Sequence, residues 1–157
     1  MDVTIVPSTA SLLERLAVYY PELHFEVGEQ FEWQPKEKMI LYDPADVFHD
    51  AHLLHETAHA ILQHEQYERD IDLIKMERDA WELVRNNLGP HYGVEVPASI
   101  VHHDMDTYRD WLHDRSTCPN CQSTGIQTKK FAYRCLSCSQ AWRVNEARTC
   151  ALRRYSV

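Results

Sequence analysis

Apolar side chains at Leu12, Leu13, Leu16 and Ala17 follow the three-to-four spacing of one helical face. Ser8 or Ser11 is placed to cap that helix, which is expected to run to about Tyr20. The period then falls to two. LHFEV (23–27) and QFEWQ (30–34) alternate apolar with polar residues, and KMILYD (38–43) follows as a third extended segment. Turn signals at Gly28-Glu29 and Pro35-Lys36 predict an antiparallel meander of these three. Asp43-Pro44 reads as the cap and first turn of a long helix ending near His64. A second long helix is expected from about Arg69 to Leu88, closed by Gly89-Pro90, and a third from Ala98 to about His113.

Composition adds limits. A chain of 157 residues suits one modest domain with a small appendage. Hydrophobic residues at 44% and charged residues at 25% exclude the disordered class. No apolar run approaches the roughly 20 residues of a membrane span. MDVTIVPSTAS lacks the basic and apolar regions of a signal peptide, so no membrane partner and a cytoplasmic location are expected. Charge is unevenly distributed. Residues 1–115 carry 9 Lys+Arg against 23 Asp+Glu, whereas residues 116–157 carry 7 against 1. An acidic domain over 1–115 and a basic piece over 116–157 are therefore expected.

Candidate chemistry begins in LLHETAHAILQH (53–64). On a helix, His55 and His59 point one way with Glu56 beside them, the arrangement by which H-E-x-x-H holds zinc near a carboxylate base. Three protein ligands leave zinc an open position for hydrolysis. The second helix offers the third. Leu73, Ala80, Trp81, Val84 and Leu88 form its apolar stripe, and Glu77 stands in the middle of it. A carboxylate there needs a cation, either a metal or an arginine such as Arg15. His52 lies one turn before His55, whereas the helical phase turns His64 away; both are expected to be surface or satisfied histidines, as are His49, His102 and His103. Hydrolysis by a zinc-activated water also needs a donor to the tetrahedral oxyanion, for which His91, Tyr92 and Tyr42 are candidates.

HETAHAILQH followed by MERDAWELV resembles the compact glutamate-zincins, the ImmA/IrrE-like metallopeptidases and minigluzincins, which join H-E-x-x-H to a later helix bearing E-x-x-A. The resemblance spans roughly residues 20–90. It implies His55, His59 and Glu77 as zinc ligands and Glu56 as general base. It also implies that KMILYD is an edge strand binding peptide in extended form. The segment LVRNNLGPHYGV differs from the family's small-residue run, and no helix-turn-helix region is recognisable.

The basic piece holds all five cysteines. CPNC (118–121) and CLSC (135–138) are two C-x-x-C knuckles, so Cys118, Cys121, Cys135 and Cys138 suit a closed tetrahedral structural zinc, with a rubredoxin-like iron as the alternative. Cys150 is left as a free thiol. Lys129, Lys130, Arg134, Arg143, Arg148, Arg153 and Arg154 interleave with Phe131, Tyr133 and Trp142. These could contact nucleic acid, or an acidic protein surface in the same or another chain. The expected fold is α+β, a small zincin-like domain followed by a zinc ribbon, with two zinc ions per chain. The expected function is zinc-dependent hydrolysis of peptide or protein substrates. The alternative is a non-catalytic zinc module whose ribbon binds nucleic acid or a protein partner; a purely structural site has no need of a base at Glu56.

Overall fold

The computed structural model describes residues 10–148 and 150–157 of this α+β protein. Ser8 lies outside them. The chain divides into two compact units: residues 10–65 with Asp79–Pro97, and Gln66–Arg78 with Ala98–Val157. Among the described residues no helix is long and apolar enough to cross a membrane.

The first unit opens with α1 (Leu12–Tyr19), capped by Ser11. The Ser11 hydroxyl accepts from the Glu14 N–H at 3.2 Å, and the Glu14 carboxylate accepts from the Ser11 N–H at 2.9 Å. Three short strands follow, β1 (His24–Val27), β2 (Glu32–Gln34) and β3 (Met39–Tyr42). They do not form the expected meander, because the order is β1-β3-β2. The turn with Lys38 in the left-handed region (φ 49°) folds β3 back antiparallel on β2. β1 then pairs in parallel with the far side of β3, with Phe25 opposite Ile40. KMILYD is thus the central strand, not an edge. Its length of apolar residues fits that place, and Ile40 is completely buried.

The helix that follows, α2 (His49–Ile61), starts later than expected. Asp43 and Asp46 spend their carboxylates on local turns, accepting from the N–H groups of Ala45 and Phe48 at 2.9 and 2.6 Å. Such aspartate turns compete with helix, so 43–48 stays a loop. Gln63 (φ 55°) ends the helix in the left-handed conformation, and the His64 N–H returns to the His59 carbonyl at 3.0 Å.

Beyond α3 (Asp70–Leu83), Gly89-Pro90 does not stop the chain. Val84–Leu88 forms a π turn and Gly89–Tyr92 continues as α4. Proline is tolerated there because it falls in the first turn of α4, where its missing N–H is not needed. The left-handed cap is Gly93 (φ 67°). Gly89 serves close approach instead: a Cβ there would lie 2.9 Å from the Val84 carbonyl oxygen and 3.1 Å from that of Val94.

The second unit contains α5 (Ala98–Ser116) and an antiparallel sheet in the order β4-β5-β6-β7. Its strands are β4 (Gly125–Lys129), β5 (Ala132–Cys135), β6 (Ala141–Val144) and β7 (Arg154–Ser156). One side of the sheet buries Tyr133, Cys135, Trp142 and Val144 in a small core with Cys118. The rings of Tyr133 and Trp142, opposite each other in the register, stack with centroids 5.7 Å apart. The aromatics that the sequence offered for base stacking are therefore mostly interior. Arg115, with no exposed surface, anchors this core. Its Nε donates to Asp70 Oδ2 at 2.7 Å, its Nη1 to the carbonyls of Asn145 and Glu146, and its own carbonyl accepts from Trp142 Nε1 at 3.0 Å. The Tyr133 hydroxyl donates to the same Asp70 oxygen. Burial first, and then this bond to Asp70, raises the Tyr133 pKa.

Candidate metal centres

In α2, the four-residue spacing brings His55 Nε2 and His59 Nε2 within 3.0 Å. The Glu56 carboxylate joins them in a group whose ligand atoms all lie within 4.8 Å of one another. Two nitrogens sharing a tetrahedral zinc at 2.0–2.1 Å stand about 3.3 Å apart, so this pair fits such an ion closely. Both histidines are buried and Glu56 is half-buried, which leaves the carboxylate reachable. Trp81 stacks on the His55 ring with centroids 4.2 Å apart and fixes its plane.

His64 has a place that helical phase could not reveal. Its Nδ1 lies 2.8 Å from His59 Nδ1. The left-handed Gln63 takes His64 off the helix and turns it back on His59. His64 is held in turn, since its carbonyl accepts from Trp33 Nε1 at 2.9 Å. A histidine that offers Nε2 to a metal carries its proton on Nδ1 and donates it to a neighbour, which fixes tautomer and ring together. His64 Nδ1 suits that acceptor role.

His52 and His49 pair with carboxylates, His52 Nδ1 with Asp46 at 3.2 Å and His49 Nδ1 with Asp50 at 3.0 Å. His102 and His103 are exposed on α5. Glu77 belongs to α3 and is buried, with 6% of its surface exposed. Arg15 donates from Nη1 to the Tyr92 carbonyl at 3.0 Å and lies 5.0 Å over the Tyr92 ring. Tyr92 and His91 lie on α4. Burial, then the neighbouring Tyr20, pushes the Tyr92 hydroxyl up to about 12, so it stays protonated across the neutral range. His91 is exposed, with its ring 6.1 Å from that of Tyr19. Tyr42, on β3, sets its ring 5.7 Å from that of His49.

The second centre is built from two matching knuckles. Gln122 and Ser139, each four residues after the first cysteine of its pair, adopt the left-handed conformation, and their N–H groups return to the carbonyls of Cys118 and Cys135. The N–H groups of Asn120 and Ser137 point at the first sulfur of each knuckle, 3.4 Å from Cys118 Sγ and 3.3 Å from Cys135 Sγ. The four sulfurs form one group, with Cys118–Cys138 at 3.7 Å and Cys121–Cys135 at 3.5 Å. Thiolates on a tetrahedral zinc at 2.3 Å stand about 3.8 Å apart, so the set fits a closed structural site. Hydrogen bonds from the Ser123 hydroxyl and N–H, and then from Cys135, pull the Cys121 thiol down to about 6. The Asn120 side-chain amide likewise lowers Cys138. These donors favour the thiolate, which is the ligand form. Cys150 stands outside the cluster and is exposed.

Both groups were legible as spacings in the sequence. The Asp70–Arg115 pair and His64 were not, because each depends on contacts that no local pattern announces. Comparisons with protein-family models, with curated proteins and with solved structures find no match.

Proposed function

We propose that this chain is a zinc-dependent peptidase with a second, structural zinc in its ribbon. The observation that carries the reading is the convergence of His55 Nε2, His59 Nε2 and the Glu56 carboxylate on one helix. Glu77 is the proposed third ligand. Its burial supports this, since buried charges are found paired or coordinating metals.

When bound, the metal would supply Lewis-acid polarisation of a carbonyl and activation of water. Glu56 takes the proton of the attacking water and passes it to the departing amine. His64 keeps His59 in the tautomer that leaves Nε2 free to ligate. Tyr92 and His91, which lie together on α4, are the proposed donors to the oxyanion. With β3 central, an extended substrate would add to an outer strand. β2 suits this best, since Phe31, just before it, lies 5.4 Å from the His52 ring of α2.

The test is cleavage of an unfolded protein substrate together with a zinc count. The parent should carry two zincs per chain and cleave. Glu56→Gln should keep both and lose activity by about a hundredfold to ten-thousandfold, the usual scale of a general base. His55→Ala should lose one zinc. Full activity in Glu56→Gln would sink the mechanism, and a parent count of one, unchanged by His55→Ala, would sink the site.

A further inference from the structure

We propose that the outer face of the ribbon sheet, carried by Lys129, Arg134, Arg143 and Tyr155, binds single-stranded nucleic acid.

The pairing register fixes which side chains share that face. Tyr133, Cys135, Trp142 and Val144 fill the core on one side of the sheet. Strand alternation then turns Arg134 and Arg143 to the other side, and both are exposed. Residues directly opposed in an antiparallel pair project to the same side. Ile126 stands opposite Arg134, and Arg134 opposite Ala141. In the next row Lys129 stands opposite Ala132, Ala132 opposite Arg143, and Arg143 opposite Tyr155. The face therefore presents three cations, an exposed isoleucine and Tyr155, a residue that is 50% exposed.

Among the described residues no carboxylate pairs with Lys129, Arg134 or Arg143. The only acidic residue after Ser116 is Glu146, which lies beyond the end of β6. The buried Asp70–Arg115 pair serves the opposite side, where Tyr133 and Trp142 reach it. Cations gathered without counter-charges repel one another and hold a positive potential, which favours an anionic polymer. Arg134 and Arg143 sit on neighbouring strands two residues out of step, a diagonal of about 7–8 Å. Their long side chains can each take a phosphate of one extended strand. Tyr155, directly across from Arg143, offers a ring on which an unpaired base can stack. Sequence-specific reading of a duplex takes an element inserted into a groove; an open sheet with a ring among cations suits a single strand better.

The test uses the full zinc-loaded chain and a fluorescein-labelled DNA strand of about 15 nucleotides, followed by anisotropy over a salt series. The parent should bind with affinity falling as salt rises. Arg134→Ala with Arg143→Ala should weaken binding at least tenfold and flatten the slope of log affinity against log salt by about 1.4, two phosphates at 0.7 each. Tyr155→Ala should weaken binding about fivefold or more with the slope unchanged. Arg134→Glu with Arg143→Glu should abolish it, with zinc content and thermal melting as in the parent. Equal affinity in the parent and the double alanine variant would overturn the proposal, as would tighter binding of the duplex. Displacement by polyglutamate as effective as by unlabelled strand would also overturn it, in favour of an acidic protein surface.

Discussion

His59 is engaged at both ring nitrogens, by His55 on one side and His64 on the other. His64 therefore acts on the metal site through His59, as a positioning residue. His64→Ala should keep the fold, because the bond to Trp33 uses the His64 backbone carbonyl. It should weaken zinc at the histidine site about 10–100-fold in competition with a chelator, the usual cost of removing a partner of a ligating imidazole. An unchanged affinity would remove His64 from the account. At this scale the sequence was informative where chemistry follows spacing. Two histidines four apart and two C-x-x-C pairs announce their geometry, because helix and knuckle are local structures. His64 was misjudged by extending the helix through it; one left-handed residue, Gln63, decides its direction.

Elements were read well where they depend on their own residues and poorly where they depend on neighbours. α1, with its capping box, and α5 lie close to where periodicity puts them. Strand order is a tertiary choice, and the central place of β3 followed only from its pairing on both sides. The helix end at Gly89-Pro90 failed because a π turn lets the proline open a new helical turn. The same dependence on partners appears at the start of α3. Asp70 has 1% of its surface exposed and accepts from Arg115 and Tyr133, while its N–H donates to Gln127 Oε1 at 2.7 Å. Asp70→Ala leaves the Arg115 charge buried without its partner and should cost about 3–5 kcal/mol. Tyr133→Phe removes one bond to a charged group and should cost about 1.5–3 kcal/mol. Denaturant unfolding at saturating zinc measures both, and a loss below about 1 kcal/mol in Asp70→Ala would mean that water replaces the pair.

Across the whole molecule, the second unit joins a sequence-local ribbon to segments far from it in the chain. The ribbon's own core is five buried side chains, of which Cys118 and Cys135 belong to the proposed metal cluster. A core that small does not offset the conformational entropy of its strands, so folding there should depend on the metal. The Asp70 clamp extends that dependence. Asp70, which opens α3, is fastened to the sheet by Tyr133 and Gln127 and to the last turn of α5 by Arg115. Cys118→Ser should therefore lose one zinc, and with it hydrogen-exchange protection over the ribbon strands and also over 70–78 and the end of α5. Peptide-level exchange reads each segment separately. If the strands lose protection while 70–78 keeps it, the clamp does not couple them, and Asp70 is held by its helix alone. If all three lose it together, the structural zinc also orders the turns of α3 that carry Glu77. A ribbon zinc would then support the proposed third ligand through the fold, without touching the chemistry.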